Sequence, residues 1–148
     1  MKDSIVQITV IGLIGALIMN SVIYVLQILG INVLAPWILA ANVFLLPELA
    51  TTPLGVIIGL IGTVGLSIAS AMIILLILNW TGYDYAILKG IVGTNAFSFL
   101  TMGLFMPLLN IAPEVRTQPL TNIIALAVLT ITGAILGALF KRFAETVN

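Results

Sequence analysis

With 148 residues, 61% hydrophobic side chains, five basic and five acidic residues and a net charge of zero, the chain lies far from soluble globular composition, in which about 25% of residues are charged. A mean hydropathy of +1.30 excludes a water-soluble core, and the dispersed basic residues, with no cluster beyond Lys141-Arg142, exclude an electrostatic footprint for nucleic acid. Cysteine and histidine are absent, which removes disulfides, thiol chemistry and the usual transition-metal ligands, so neither a cofactor nor a metal site is expected.

The charges fall between four apolar runs. Lys2 and Asp3 precede the first run, residues 5–29, which ends at Gly30 and Asn32. At ~1.5 Å per residue it reaches ~37 Å, enough to cross a ~30 Å hydrocarbon core with some tilt, and it exceeds the roughly 7 to 15 residues of a signal-peptide apolar region. Next comes a nearly all-apolar stretch, 33–46, bounded by Pro36 and Pro47 and holding Trp37 and Asn42. Its helical part, about 36–46, is too short to cross and predicts an interfacial or re-entrant helix.

Glu48 precedes the second run, 53–78, where Thr52 as N-cap and Pro53 at the first helical position form a start signal. Asn79-Trp80-Thr81-Gly82 stops it with an interfacial aromatic and turn residues. The third run, 85–109, takes Asp84 as its N-cap, and Pro107 predicts a kink toward Gly103 because proline removes one hydrogen bond and clashes with the carbonyl four residues earlier. The fourth run, 119–140, begins at Pro119 and is closed by Lys141, Arg142 and Glu145. The expected fold is therefore an all-α membrane protein, one transmembrane domain over 1–148, built as a four-transmembrane-helix bundle with a short interfacial or re-entrant helix between the first two spans. Lys2, Lys89, Lys141 and Arg142 would share one side against Arg116 on the other, which by the positive-inside rule puts both termini in the cytoplasm.

Each span carries small or polar residues at steps of three and four, which share one helix face. The first has Gly12, Ala16, Asn20, Tyr24 and Gln27; the second Gly55, Gly59, Thr63, Ser67 and Ser70. The third has Gly90, Thr94, Ser98 and Thr101 with Asn95 beside them, and the fourth Thr130, Gly133 and Gly137. In lipid, helices meet through small residues that permit close approach, so these stripes should face one another. Gly12 and Gly15, Gly90 and Gly93, and Gly133 and Gly137 fall in the cytoplasmic half and predict that spans one, three and four pack most closely there; Gly55 and Gly59 lie in the outer half of span two.

Asn20, Ser67, Asn95, Ser98 and Thr130 fall near one depth, the bilayer midplane. Two readings stand: hydrogen bonds between helices, or a small polar cavity for a solute. No titratable group lies in the spans' interiors, which disfavours proton relays and ion coupling, and no nucleophile–base arrangement can be built, so the chain is read as non-enzymatic. Trp37, Trp80, Tyr83 and Tyr85 read as an aromatic belt.

A resemblance extends this reading. Pro53-Leu54-Gly55-Val56-Ile57, Leu66-Ser67-Ile68 and Lys89-Gly90-Ile91-Val92-Gly93, then Pro107 and Pro113 around an apolar turn, Thr121-Asn122-Ile123-Ile124, and the stretch from Gly133 to Phe140 together resemble the YqhR-type conserved small membrane proteins of Firmicutes over roughly residues 53–142. The chain departs from that pattern in having Phe97 and Phe99 where a span-three tryptophan stands, and in lacking a charged N-terminal extension. The resemblance implies a multi-pass protein of the bacterial cytoplasmic membrane and transfers no functional residue. Two functions are expected from the uncharged interior. One is action through helix packing, as a homo-oligomer or a subunit of a membrane assembly, with the lipid bilayer and other membrane helices as partners. The other is a passive pathway for a small solute or ion centred on Asn20, Asn95 and Ser98.

Overall fold

The computed structural model describes residues 3–145, and among them every regular element is helical. Four helices are long and apolar enough to cross a membrane: Ser4–Ile28, Pro53–Thr81, Ala86–Leu108 and Pro119–Glu145. This is the build of an integral membrane protein. We label the elements α1 (Ser4–Ile28), α2 (Pro36–Ala41), α3 (Pro47–Ala50), α4 (Pro53–Thr81), α5 (Ala86–Leu100), a π-helical turn (Thr101–Phe105), α6 (Met106–Leu108) and α7 (Pro119–Glu145), with a 3₁₀ turn at Pro113–Thr117 before α7.

Helix ends follow local chemistry. The Asp3 side chain accepts from Ile5 N at 2.8 Å and caps α1; Thr52 Oγ1 accepts from Gly55 N at 3.1 Å and caps α4, with Pro53 in its first turn. Such caps supply a partner to amide groups that the helix itself leaves unpaired. Asp84 does not cap α5, contrary to the expectation: Tyr85 holds the cap position in a left-handed conformation, φ 55°, with no side-chain hydrogen bond. Instead, Lys89 Nζ reaches back to the carbonyls of Thr81 (3.0 Å) and Gly82 (2.8 Å), a cation on the open carbonyls where α4 ends. With that closure α4 runs to Thr81, past the predicted end at Leu78, and α7 runs past Phe140 to Glu145. Lys2 lies outside the described residues.

The third span is distorted where proline predicted it. Pro107 has no N–H to offer the Gly103 carbonyl, and the chain widens into the π turn Thr101–Phe105. Thr101 Oγ1 donates to the carbonyls of Phe97 (3.0 Å) and Ser98 (3.1 Å) at its start. The segment between the first two spans is two short helices rather than one of about 36–46. α2 ends at Ala41, the next turn tightens (Phe44 N to Ala41 O, 2.9 Å), and Pro47 disfavours a helical conformation at Leu46 and opens α3.

The four long helices form a ring in the order α1, α4, α5, α7, with α5–α7 the most extensive pairing. At the end holding the start of α1 and the finish of α7, here the near end, Ile11, Ile74, Leu78, Leu136 and Phe140 form a sealed core. At the far end Ile23, Val33, Ala35 and Val128 form a second one, with Trp37 and Ile38 packed against it. Outward side chains such as Leu17, Ile61 and Ile123 are exposed along the ring, as a lipid-facing surface requires.

Glycine decides the ring's spacing. A methyl group on Gly90 would meet the Gly133 carbonyl oxygen and Gly137 Cα, and one on Gly137 would meet the Ala86 carbonyl, so α5 and α7 touch backbone to backbone at the near end. Span one joins only α7 of that pair, contrary to the expected close packing of all three: Gly12 faces Ile68 of α4, while Gly15 faces Ser67 of α4 and the Leu136 side chain of α7, because α1 stands diagonally across from α5 in the ring. Gly93 likewise turns to Ile74 and Ile77 of α4. Gly55 and Gly59 receive no span at all. Gly55 seats the Leu49 carbonyl and Ala50, Gly59 seats the Trp37 carbonyl, and Gly62 seats Ala40. The small stripe of α4 thus seats α2 and the end of α3 at the ring's far end, where Ala35, Ala40, Ala41 and Ala50 are each at most 2% exposed.

Candidate functional site

Because α2 occupies the far half of that stripe, α5 cannot close on α4 there as it does at the near end. At Gly103, within the π turn, an added methyl group would meet nothing within 4 Å. The space left is a cavity of about 350 Å³ between α1, α2, α4, the α5–α6 span and α7, within the range of small-molecule sites. Its far-end mouth is apolar, lined by Leu34, Pro36, Val43, Met106, Leu109 and Ile111. Its deep end carries hydroxyls, from Ser67 and Ser70 on α4, Thr94 and Ser98 on α5, and Thr132 on α7. Below them lies the sealed near-end core, so the cavity is blind. Among the described residues no charged side chain lines it.

Three of these hydroxyls, those of Ser70, Thr94 and Ser98, are occupied, and Ser67 Oγ lies against Gly15 of α1. Ser70 Oγ donates to Thr94 Oγ1 at 3.3 Å, Ser98 Oγ to the Met102 sulfur at 3.6 Å, and Thr63 Oγ1, on the cavity wall, to the Leu60 carbonyl at 2.8 Å. Thr132 differs: 1% exposed, its Oγ1 has no hydrogen-bond partner. A buried hydroxyl without a partner costs roughly 1–3 kcal/mol by protein mutational data, so the position is one a hydrogen-bonding ligand would satisfy. At the mouth, Leu34 N donates to Thr121 Oγ1 (3.2 Å), which donates to Gln118 Oε1 (2.9 Å), and Gln27 Nε2 donates to the Val33 carbonyl (2.9 Å). These bonds tie the entry to α2 onto α1 and α7.

The five midplane residues do not form one cluster. Asn20 Nδ2 donates to Thr63 Oγ1 at 2.9 Å and joins α1 to α4; Asn95 Nδ2 donates to Thr130 Oγ1 at 3.1 Å and to the Ile91 carbonyl at 3.0 Å, joining α5 to α7. Neither asparagine nor Thr130 lines the cavity, whereas Ser67 and Ser98 do. Bonds of this kind average ~0.6 kcal/mol and reach ~1.7 at most. Asn95→Leu is expected to fall within that range of destabilisation in equilibrium unfolding from mixed micelles. Asn20→Leu is expected to be closer to neutral, since the buried Asn20 Oδ1 has no partner and its removal offsets the lost bond.

One stripe assignment and one belt assignment change. Tyr24 is 58% exposed and off the packed face, the face of α1 being Ile11, Gly12, Gly15, Ala16 and Ile23. Trp37 packs on the far-end core instead of joining the belt that the strongly exposed Trp80 and Tyr85 fit. Thr132 was missed by the sequence reading, although steps of four and three link it to Thr121, Ala125, Val128 and Leu136 along one face of α7. Asn42, noted in the stretch 33–46 but not among the candidate site residues, has both amide atoms buried and unpartnered.

A second hollow, of about 830 Å³, is an open depression at the near end between the start of α5 and the finish of α7, with Asp84 and Lys141 on its rim. Lys141 Nζ lies 3.8 Å from Glu145 Oε1, both exposed, a pair of little energetic consequence. Among the described residues no group of three or more His, Cys, Asp or Glu could hold a metal ion. No family model, curated protein or solved structure matches the chain.

Proposed function

We propose that this is a non-enzymatic protein of the bacterial cytoplasmic membrane that holds a small, uncharged, lipid-soluble molecule in the far half of its bundle. The observation that carries the reading is the blind cavity with an apolar mouth, hydroxyls at its deep end and no charge. An ion would enter with nothing to compensate it, at a cost of several kcal/mol, and the near-end core supports holding a molecule over passing it through. The resemblance of residues 53–142 to YqhR-type proteins supports the bacterial setting.

Trp37 offers the test, since it packs on the far-end core, whose Ile23, Val33 and Val128 also line the cavity, while Trp80 sits near the other end of α4. In a Trp80→Phe background, 1-bromododecane is expected to quench Trp37 saturably, and Ala125→Phe, which fills the cavity from α7, is expected to weaken that binding at least about tenfold. Quenching that rises linearly without saturation, the same in both proteins, would overturn the proposal.

Lys89, Lys141 and Arg142 at the near end against Arg116 at the far end support a cytoplasmic near end. A C-terminal fusion to a reporter active only outside the cell is expected to stay silent, and strong activity would reverse the orientation.

A second reading, action through helix contacts as a homo-oligomer or subunit, is favoured by Gly65, an exposed position of α4 where an added methyl would meet nothing within 4 Å. The chain has no native cysteine, so Gly65→Cys carries a single thiol. Oxidative cross-linking in native membranes should give a dimer if two copies pair on this face, and monomer alone would count against that pairing.

A further inference from the structure

We infer that the occupant of the cavity is a neutral, single-chain amphiphile of the long-chain alcohol class, bound with its hydroxyl at Thr132 and its chain running out to the mouth. The inference rests on the cavity being a binding site and adds the chemistry and direction of the ligand. Thr132 Oγ1 is the one cavity hydroxyl that is both fully buried and without a partner, and a hydroxyl can both donate and accept. An alcohol head therefore satisfies Thr132 in either sense. An alkane leaves it unsatisfied. A carboxylate or an amine would bring a charge to a depth where the described residues lining the cavity supply no counter-charge.

Direction follows from the lining. Thr132 stands one turn from Leu136 at the blind end, and the Ser70–Thr94 pair lines the same cavity, whereas the opposite end is closed in by Leu34, Val43, Leu109 and Ile111. A chain leaving Thr132 passes Val128 and Met102 and reaches the mouth beside Pro36, next to Trp37. Head-first entry buries the chain against apolar walls throughout. The reverse placement would leave Thr132 facing a methyl group and the head among aliphatic side chains.

A matched set of C12 probes tests this in the Trp80→Phe protein: 12-bromododecan-1-ol, 1-bromododecane and 12-bromododecanoate. The alcohol is expected to bind about tenfold more tightly than the bromoalkane, as one neutral hydrogen bond to a buried partner allows, and the carboxylate most weakly. Thr132→Val, which keeps the shape and removes the hydroxyl, is expected to bring alcohol and bromoalkane to equal affinity, and Thr132→Ser to restore the preference. Placement has its own readout, because 12-bromododecan-1-ol should quench Trp37 more strongly at saturation than 2-bromododecan-1-ol, whose bromine lies beside the head. Equal binding of alcohol and bromoalkane to the parent protein, a preference that survives Thr132→Val, or stronger quenching by the 2-bromo compound would each overturn the inference while leaving the cavity a binding site. Saturable binding of none of the three probes would remove the site itself.

Discussion

Gly90→Ala is expected to destabilise the bundle by about 1–3 kcal/mol, the usual cost of forcing a methyl group into a packed interface, and Gly90→Val by more. Two effects of opposite sign compete here. Alanine is the better helix former by roughly 0.8–1.0 kcal/mol, so at an open position the substitution should stabilise. At Gly90 the new methyl would collide with the Gly133 carbonyl oxygen and stand 2.9 Å from the Gly137 backbone. These are main-chain atoms of a neighbouring helix and cannot rotate away, so α5 and α7 must separate along the most extensive contact in the protein. The steric term therefore exceeds the propensity term. Gly65→Ala is the internal control, because nothing lies within 4 Å of the added group, and it should leave stability unchanged or raise it by up to about 1 kcal/mol. Equilibrium unfolding in mixed micelles measures both, and equal effects at the two positions would show that α5 and α7 are not in backbone contact.

The second large effect is expected at Gly59→Val. The Trp37 carbonyl occupies the space where any side chain at 59 would begin, so the variant must displace α2 from the stripe of α4. Leu39, Ala40 and Val43 form part of the cavity wall, and their displacement opens it to the surrounding lipid. Saturable binding of 1-bromododecane should fall at least about tenfold, and Trp37 emission should shift as its packing on the far-end core is lost. The near-end core of Ile11, Ile74, Leu78, Leu136 and Phe140 is remote from this change, so the four long helices should remain assembled. Unchanged emission together with unchanged binding would show that α2 does not depend on Gly59 for its seat.

Gly90 and Gly59 show how far the sequence could be read. That both lie on contact faces was legible, since small residues at helical spacing mark close approach in lipid. What each face receives was not. Gly90 meets another span, whereas Gly59 meets a short helix that hydropathy alone could place either at the surface or within the bundle. A distortion around Gly103, which the structure shows as the π turn Thr101–Phe105, was legible because proline acts through the backbone of its own helix. The end of α4 was not, because its carbonyls are closed by Lys89 from across a turn. Asn20 and Asn95 are the most polar groups near the middle of the spans, and each donates to a threonine on the neighbouring helix. Among the cavity hydroxyls the fully buried one left without a partner is that of Thr132, which is unremarkable in sequence because threonine in a helix ordinarily bonds to its own backbone.

The sequence by itself determined the four spans, the separation of charge from the membrane interior and the small-residue faces. Each of these is a local property: an apolar run of sufficient length must be helical in lipid to satisfy its backbone, and residues three or four apart share a face whatever surrounds them. Only the tertiary structure decided the ring order, the seating of α2 on α4 and the cavity that results. Those depend on which surfaces meet. A glycine permits close approach without naming its partner, and a void exists only where two helices that could have touched are held apart by a third.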